Sequence, residues 1–191
     1  LDMDKMFWTD VAKKGAILGV LMLASHILEQ VLMLNGNTSR MFVAGIEMLV
    51  VAVLYIYLMY RFVKGYSNTF SAEEGFSYGR GFTYVVYASL LAGVIVGFGS
   101  YVYVHWIVGY GDYIDGMVNM YASIIDSAAM PASLSAMYEG MFEQLESQPE
   151  PSVFSTLFST LWGYIMWGVI IGLIIAGIVK RTPKLFDETD E

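Results

Sequence analysis

The chain has no cysteine, so disulfides, thiolate metal sites and cysteine nucleophiles are excluded. It has only four prolines, Pro131, Pro149, Pro151 and Pro183, and all lie outside its long apolar runs. Histidine occurs twice, at His26 and His105. Only 15% of the residues are charged, and 10 Lys and Arg stand against 18 Asp and Glu. A net charge of −8 with no basic patch argues against nucleic-acid binding. G-x-S-x-G, H-E-x-x-H and nucleotide-binding fingerprints are missing, as is a Ser/His/Asp set, so the expectation is a non-catalytic protein without a cofactor.

What the chain has in quantity is apolar length. Hydrophobic residues make up 57% of it, and the runs 15–34, 41–63, 83–108 and 154–179 each reach the roughly 20 helical residues that cross a bilayer core of about 30 Å. Lipid offers no partner for backbone N–H and C=O groups, so these runs must be helical. The expected fold is an all-α integral membrane protein with four transmembrane helices in two antiparallel hairpins, forming one membrane domain over residues 1–191. Lys5, Lys13 and Lys14 before Gly15 look like a signal-peptide start. The apolar run continues to Leu34 without a small-x-small cleavage site, which favours a retained first span.

Orientation follows from the basic residues, which accumulate on the cytoplasmic side. Lys5, Lys13 and Lys14 precede the first run, Arg61, Lys64 and Arg80 lie between the second and third, and Lys180, Arg181 and Lys184 follow the fourth. Only Arg40 falls on the other side. Segment 109–152 holds Asp112, Asp115, Asp126, Glu139, Glu143, Glu146 and Glu150 and no Lys or Arg. A multi-pass protein with both termini cytoplasmic is predicted.

The acidic segment carries its own pattern. Ile114, Met117, Val118, Tyr121 and Ile125, then Leu134, Met137, Tyr138, Met141, Phe142 and Leu145, follow helical spacing. Two amphipathic helices joined near 129–131 are expected as an outer cap over 109–152. Its acids would be repelled by anionic headgroups, which favours docking on protein. Met117, Met120, Met130, Met137 and Met141 are read as packing rather than as soft copper(I) ligands.

Residues 70–82 read FSAEEGFSYGRGF. Ser71 and Glu74 fit a capping box that would open the third span. The glycines allow close backbone approach, and Tyr78 and Arg80 suit headgroup level. With Arg61 and Lys64 they form a candidate interfacial or headgroup site for a lipid or isoprenoid phosphate. The glycines are too few and wrongly spaced for a phosphate loop.

Phe7-Trp8 ahead of a glycine-spaced first span, the GFSYGRGF segment, the acidic methionine-rich helices and the terminal GLIIAGIVKR run together resemble a family of four-span bacterial inner-membrane proteins. That family is catalogued as a domain of unknown function, number four-one-nine-nine. The resemblance covers nearly the whole chain and implies a bacterial cytoplasmic membrane with both ends inside. It supplies no activity and no catalytic residue.

The ionisable groups within the runs are costly in lipid and face a bundle interior or water. His26, Glu29 and Gln30 share one face of the first span, and Glu47 lies in the second. A short connection at 35–40 would put Glu29 and Glu47 at similar depth, roughly 8 Å below the outer boundary at about 1.5 Å per residue. At close range the two carboxylates would not both ionise easily, so at least one would hold a proton near neutral pH or share one with His26. Three roles stay open: a hydrogen bond pinning the hairpin, a proton or ion relay, and a metal site completed by His105. No second His-x-x-Glu motif supports the metal.

Gly15-x-x-x-Gly19, Gly93-x-x-x-Gly97 and Gly168-x-x-x-Gly172-x-x-x-Ala176 are ridges that let helix backbones approach, and they are expected to face inward, the alternative being contact with a partner or a second copy. The stripe Ser152, Thr156, Ser159 and Gly163 is expected to face inward too, and Trp167 to pack. The leading functional expectation is an accessory or scaffold subunit of a bacterial envelope complex, bound to a membrane-protein partner or a second copy. The alternatives are a small transporter or channel using His26, Glu29 and Glu47, and a lipid-binding protein.

Overall fold

The computed structural model describes residues 2–34, 38–128 and 132–184. The helices are α1 (Asp2–Met33), α2 (Thr38–Ser67), α3 (Tyr78–Val102), α4 (Tyr110–Ala128), α5 (Ala132–Ser147) and α6 (Val153–Val179), and α3 continues as a π-helical segment, Tyr103–Val108. No strand occurs among the described residues, where an isolated antiparallel bridge joins Phe76 to Arg181. Lys5–Met33, Ser39–Ser67, Tyr78–Val108 and Val153–Val179 are long and apolar enough to cross a membrane. The chain is thus an all-helical membrane protein.

Helix α3 is the centre of the bundle, packed mainly against α6 and α1, with α2 laid against α1. The glycines fix the register. A methyl group at Gly15 would touch Ala88 and Leu91, one at Gly19 would touch Ala92 and Ile95, and one at Gly99 would run into Leu23. Helices α1 and α3 therefore run the same way. Gly81 meets Ala176, Gly172 meets Phe82 and Val85, Gly168 meets Ser89, Gly93 meets Tyr164 and Gly97 meets Leu157, so α6 runs opposite to α3. With no hydrophobic drive between helices in lipid, this close backbone approach supplies the dispersion contact that holds them. The three ridges face inward, as their spacing suggests.

The bundle has a basic end, carrying Lys64, Arg80 and Arg181, and an acidic end, carrying Asp112 and Glu150. An aromatic cluster of Phe7, Tyr66, Phe70, Phe76 and Tyr84 fills the basic end with ring centroids 5.2–6.0 Å apart. The Tyr84 hydroxyl donates to Asp10 Oδ2 at 2.6 Å, which ties α3 to α1 there.

Two expectations about α6 are overturned. Trp167 is 63% exposed, and Ser159 and Gly163 face outward as well. The row that meets α3 is Thr160, Tyr164, Gly168 and Gly172, spaced by four; Ser159, Gly163 and Trp167 belong to the next row.

The Ser71–Glu74 capping pair forms, with Glu74 N donating to Ser71 Oγ and Ser71 N to Glu74 Oε2, each at 3.2 Å. It closes a separate turn rather than opening α3. The helix is capped six residues later by Ser77, whose Oγ accepts from Arg80 N at 3.3 Å. Phe76 and Arg181 exchange both backbone hydrogen bonds at 2.9 Å, and Lys184 N donates to Ala72 O at 3.0 Å. The Arg181 guanidinium donates to Ser67 O and, at 3.3 Å, to Phe70 O. A residue that reads in sequence as a flanking charge is thus a clamp on the end of α2.

Gly75 makes this clamp possible. Its φ is +64°, and a Cβ there would sit 2.7 Å from Arg181 O and from Pro183 N. Gly75→Ala is expected to combine a left-handed backbone cost of about 1 kcal/mol with a collision against backbone. Limited proteolysis in detergent should show faster cleavage around residues 68–76 and 180–184, with the spans intact.

At the acidic end α4 packs through Gly116 against Leu34 and buries Met120. Tyr121 and Phe142 bring α4 and α5 together with ring centroids 6.1 Å apart. Helix α5 leaves Met137 62% exposed, with Leu134 and Met141 exposed beside it. The expected joint at 129–131, with Met130 and Pro131, and the turn at 35–37 lie outside the described residues.

Candidate functional site

Near the acidic end, α1, α3 and α6 diverge around a cavity of about 330 Å³. Its wall combines His26 and Gln30 from α1, Val96, Ser100 and Tyr101 from α3, Val104 and His105 from the π-helical segment, Tyr110 and Tyr113 from α4, and Pro151, Thr156, Thr160 and Tyr164 from the α6 side.

His26 and Gln30 are one turn apart and therefore share a face. Gln30 Nε2 donates to His26 Nε2 at 2.9 Å. That bond makes Nε2 an acceptor and leaves the ring proton on Nδ1, which lies 3.9 Å from Glu29 Oε2.

The π-helical turn at Tyr103–Val108 is where α3 departs from regular geometry, and such turns cluster at functional positions. It sets the His105 ring between two tyrosines, with centroids 3.8 Å from Tyr101 and 5.4 Å from Tyr110 at angles of 19° and 17°. His105 Nδ1 donates to Tyr101 O at 3.0 Å, and Nε2 lies 3.5 Å from Glu150 Oε1. Gly109, at φ +94°, then turns the chain into α4, a conformation that favours glycine. Burial, with Tyr121, Tyr110 and Glu29 close by, pushes the Tyr113 hydroxyl above its ordinary range.

Buried polar atoms are nearly always paired. Among the described residues Gln30 Oε1, Ser100 Oγ and His105 Nε2 have no hydrogen-bond partner, and all three residues line the cavity, while Glu47 Oε2 is likewise without one outside it. Gln30 and Ser100 are 9% and 8% exposed. Toward the basic end Leu18, Ala88 and Ala92 are fully buried among the glycine contacts, so close packing, not an open path, continues the cavity downward.

The expected site residues are thus divided. His26, Gln30 and His105 meet in one cavity, with Glu29 beside His26. Glu47 does not pair with Glu29: its Oε1 accepts from Ser25 Oγ at 2.7 Å, one turn, about 6 Å, deeper along α1. Helix α2 starts at Thr38 rather than at 41, which carries Glu47 further in. Among the described residues no three His, Cys, Asp or Glu side chains gather as metal ligands would.

The candidate headgroup set is scattered. Lys64 Nζ donates to Tyr60 OH at 3.1 Å, and the Tyr78 hydroxyl donates to Leu173 O at 3.2 Å, tying α3 to α6. Arg61 is exposed on α2. Arg80 stacks over Phe70 at 4.8 Å and alone of the four lines a second cavity of about 380 Å³, with Phe7, Tyr66, Phe70, Ser77, Gly79 and Thr83.

Ser100, Thr156, Thr160 and Tyr164 join the site without having been singled out for it. Their signal in the sequence is a run of polar residues four apart, 156, 160 and 164, on an otherwise apolar helix. Asp10 carries no comparable signal, because it precedes the first apolar run.

The family described as a protein of unknown function (DUF4199) matches residues 13–181. No curated protein matches the chain, and no solved structure does.

Proposed function

The chain belongs to the DUF4199 family, and from that premise we propose that it is a non-catalytic membrane protein that binds a small polar solute in the cavity at its acidic end. One observation carries the proposal: three buried polar atoms without a hydrogen-bond partner among the described residues, on residues lining a cavity of about 330 Å³. Each such atom costs about 1–3 kcal/mol if nothing pairs with it, so a ligand that hydrogen-bonds to them recovers that cost. Close packing below the cavity favours a binding or carrier role over an open channel.

The location belongs to the same proposal. Basic residues at one end favour that end in the cytoplasm, with both termini inside, four spans as two antiparallel hairpins, α4 and α5 as an external lid, and the bacterial inner membrane as the site. The solute then enters from outside. A second role, holding a partner envelope protein, is favoured by the exposed Leu134, Met137 and Met141 of α5.

Reconstitution decides between binding and conduction. The protein in lipid nanodiscs is expected to show saturable binding of at least one compound in a mixed panel of small cations, anions and neutral polar solutes. In planar bilayers it is expected to pass no unitary current. Discrete channel openings, or no binding across the panel, would overturn the proposal.

A further inference from the structure

The second cavity, of about 380 Å³, lies at the opposite, basic end of the bundle. Tyr66 stands at the end of the candidate span Ser39–Ser67, and Gly79 and Arg80 at the start of Tyr78–Val108. The cavity therefore opens where the helices leave the apolar layer, at the depth of lipid phosphates. Arg80 is the charged residue of its wall, and no Asp or Glu lines it among the described residues.

Arg80 is held in place and yet unspent. Its guanidinium stacks on the Phe70 ring at 4.8 Å, and that ring is fixed in turn by Tyr66 and Phe76, with centroids 5.3 and 5.4 Å away. Stacking uses a face of the guanidinium, while its N–H groups point outward along the edge. Among the described residues that edge has neither an ion pair nor a hydrogen-bond acceptor. Arg181 differs, because its guanidinium is committed to the Ser67 and Phe70 carbonyls; it still adds a positive charge behind the same phenylalanine. Two carboxylates of this end are engaged elsewhere, Asp10 by the Tyr84 hydroxyl and Glu74 by the backbone of Ser71.

The rest of the polar wall donates as well. Ser77 Oγ accepts from Arg80 N, which leaves its own hydrogen to donate, and Thr83 brings a second hydroxyl. A lone arginine on an open surface binds anions weakly, because water screens the pair and a mobile side chain must be ordered. Here the stack has already ordered the fork, and the hydroxyls share its cavity.

We infer that this cavity binds a phosphate-bearing anion, with the Arg80 fork on two phosphate oxygens and the Ser77 and Thr83 hydroxyls as further donors. The site is separate from the solute cavity at the acidic end and stands without it. Its volume falls in the range of about 300–1,000 Å³ typical of ligand pockets, room for a headgroup while acyl chains stay outside. An anionic lipid and a soluble phosphate compound offer the same chemistry, and the two are separable by experiment.

Binding isotherms on the full chain in a non-ionic detergent test this with dihexanoylphosphatidylglycerol, dihexanoylphosphatidylcholine and glycerol 3-phosphate. At least one of the two anionic probes is expected to bind saturably and at least about tenfold tighter than the choline lipid, whose own cation neutralises its phosphate. Tighter binding of the glycerol lipid assigns the site to a membrane headgroup, and glycerol 3-phosphate binding as tightly or more so assigns it to a soluble compound. Arg80→Gln is expected to weaken the tighter probe at least about tenfold, while Arg61→Gln, an exposed charge outside the cavity, changes it less than about twofold. Gly79→Leu fills the cavity without a clash, since nothing lies within 4 Å of a Cβ there, and is expected to abolish binding with the melting temperature held within a few degrees. Choline lipid binding as tightly as both anionic probes, no saturable binding of either anion, or unchanged affinity in folded Arg80→Gln or Gly79→Leu would overturn the inference.

Discussion

Gly168→Leu is expected to lower the apparent melting temperature in detergent by roughly 5–15 °C. A Cβ at Gly168 would already lie 2.7 Å from Ser89 Cβ and 2.8 Å from Ser89 Oγ, on the helix that forms the centre of the bundle. Leucine adds three further carbons at that point, so α3 and α6 must part. Overpacking of this kind costs about 1–3 kcal/mol. Displacing Ser89 also strains its hydrogen bond with Tyr55, 3.0 Å long and buried, which adds about 1 kcal/mol.

The internal control is Gly163→Leu, on the same helix and with nothing within 4 Å of its Cβ. There the gain in helix propensity, about 0.8 kcal/mol over glycine, is unopposed, and the melting temperature should hold or rise. Parallel melting curves of the two variants measure the difference. Equal losses would show that α6 does not meet α3 along the Gly168 row.

The contrast between these two glycines also marks what the sequence carried. Apolar length alone located all four spans, because the bilayer sets one number for every helix that crosses it. Glycines spaced by four marked the α1–α3 and α3–α6 contacts, because close approach needs small residues on one row. Composition did not say which row of α6 was which. Ser159 and Gly163 are small yet face outward, because each lies one residue from the inward row of Thr160 and Tyr164 and a helix of 3.6 residues per turn rotates by about 100° per residue.

The cavity was legible in parts. His26, Gln30 and His105 stood out as polar groups in apolar runs, and they meet. Their arrangement was not visible, because it depends on the π-helical turn at Tyr103–Val108, which is set by packing rather than by a motif. The depth of Glu47 failed for a plainer reason. It was measured from the edge of the apolar run, while α2 begins earlier, at the polar residue Thr38. Arg181 reads in the sequence as a charge at the flank, and Asp10 carries no signal there. Each instead makes a specific bond, to Ser67 and Phe70 carbonyls and to the Tyr84 hydroxyl, that no pattern of hydrophobicity encodes.

Ser100→Leu should separate stability from function in one step. The Ser100 hydroxyl is buried without a partner, and removing such a group relieves about 1–3 kcal/mol. The added carbons have room, because Ser100 lines a cavity of about 330 Å³, so the overpacking that defeats Gly168→Leu does not arise here. The apparent melting temperature is therefore expected to rise by about 2–8 °C. Solute binding is expected to fall at least about a hundredfold, since the side chain occupies the ligand's volume and withdraws a polar contact. Ser100→Ala keeps the volume and should give a similar rise in stability with a loss of about tenfold in affinity. Melting curves and binding isotherms on the same nanodisc samples measure both quantities. A more stable protein that binds less is the signature of a polar atom kept for a ligand. Should Ser100→Leu melt earlier and bind as before, the hydroxyl would be part of the packing and the cavity would not be the site.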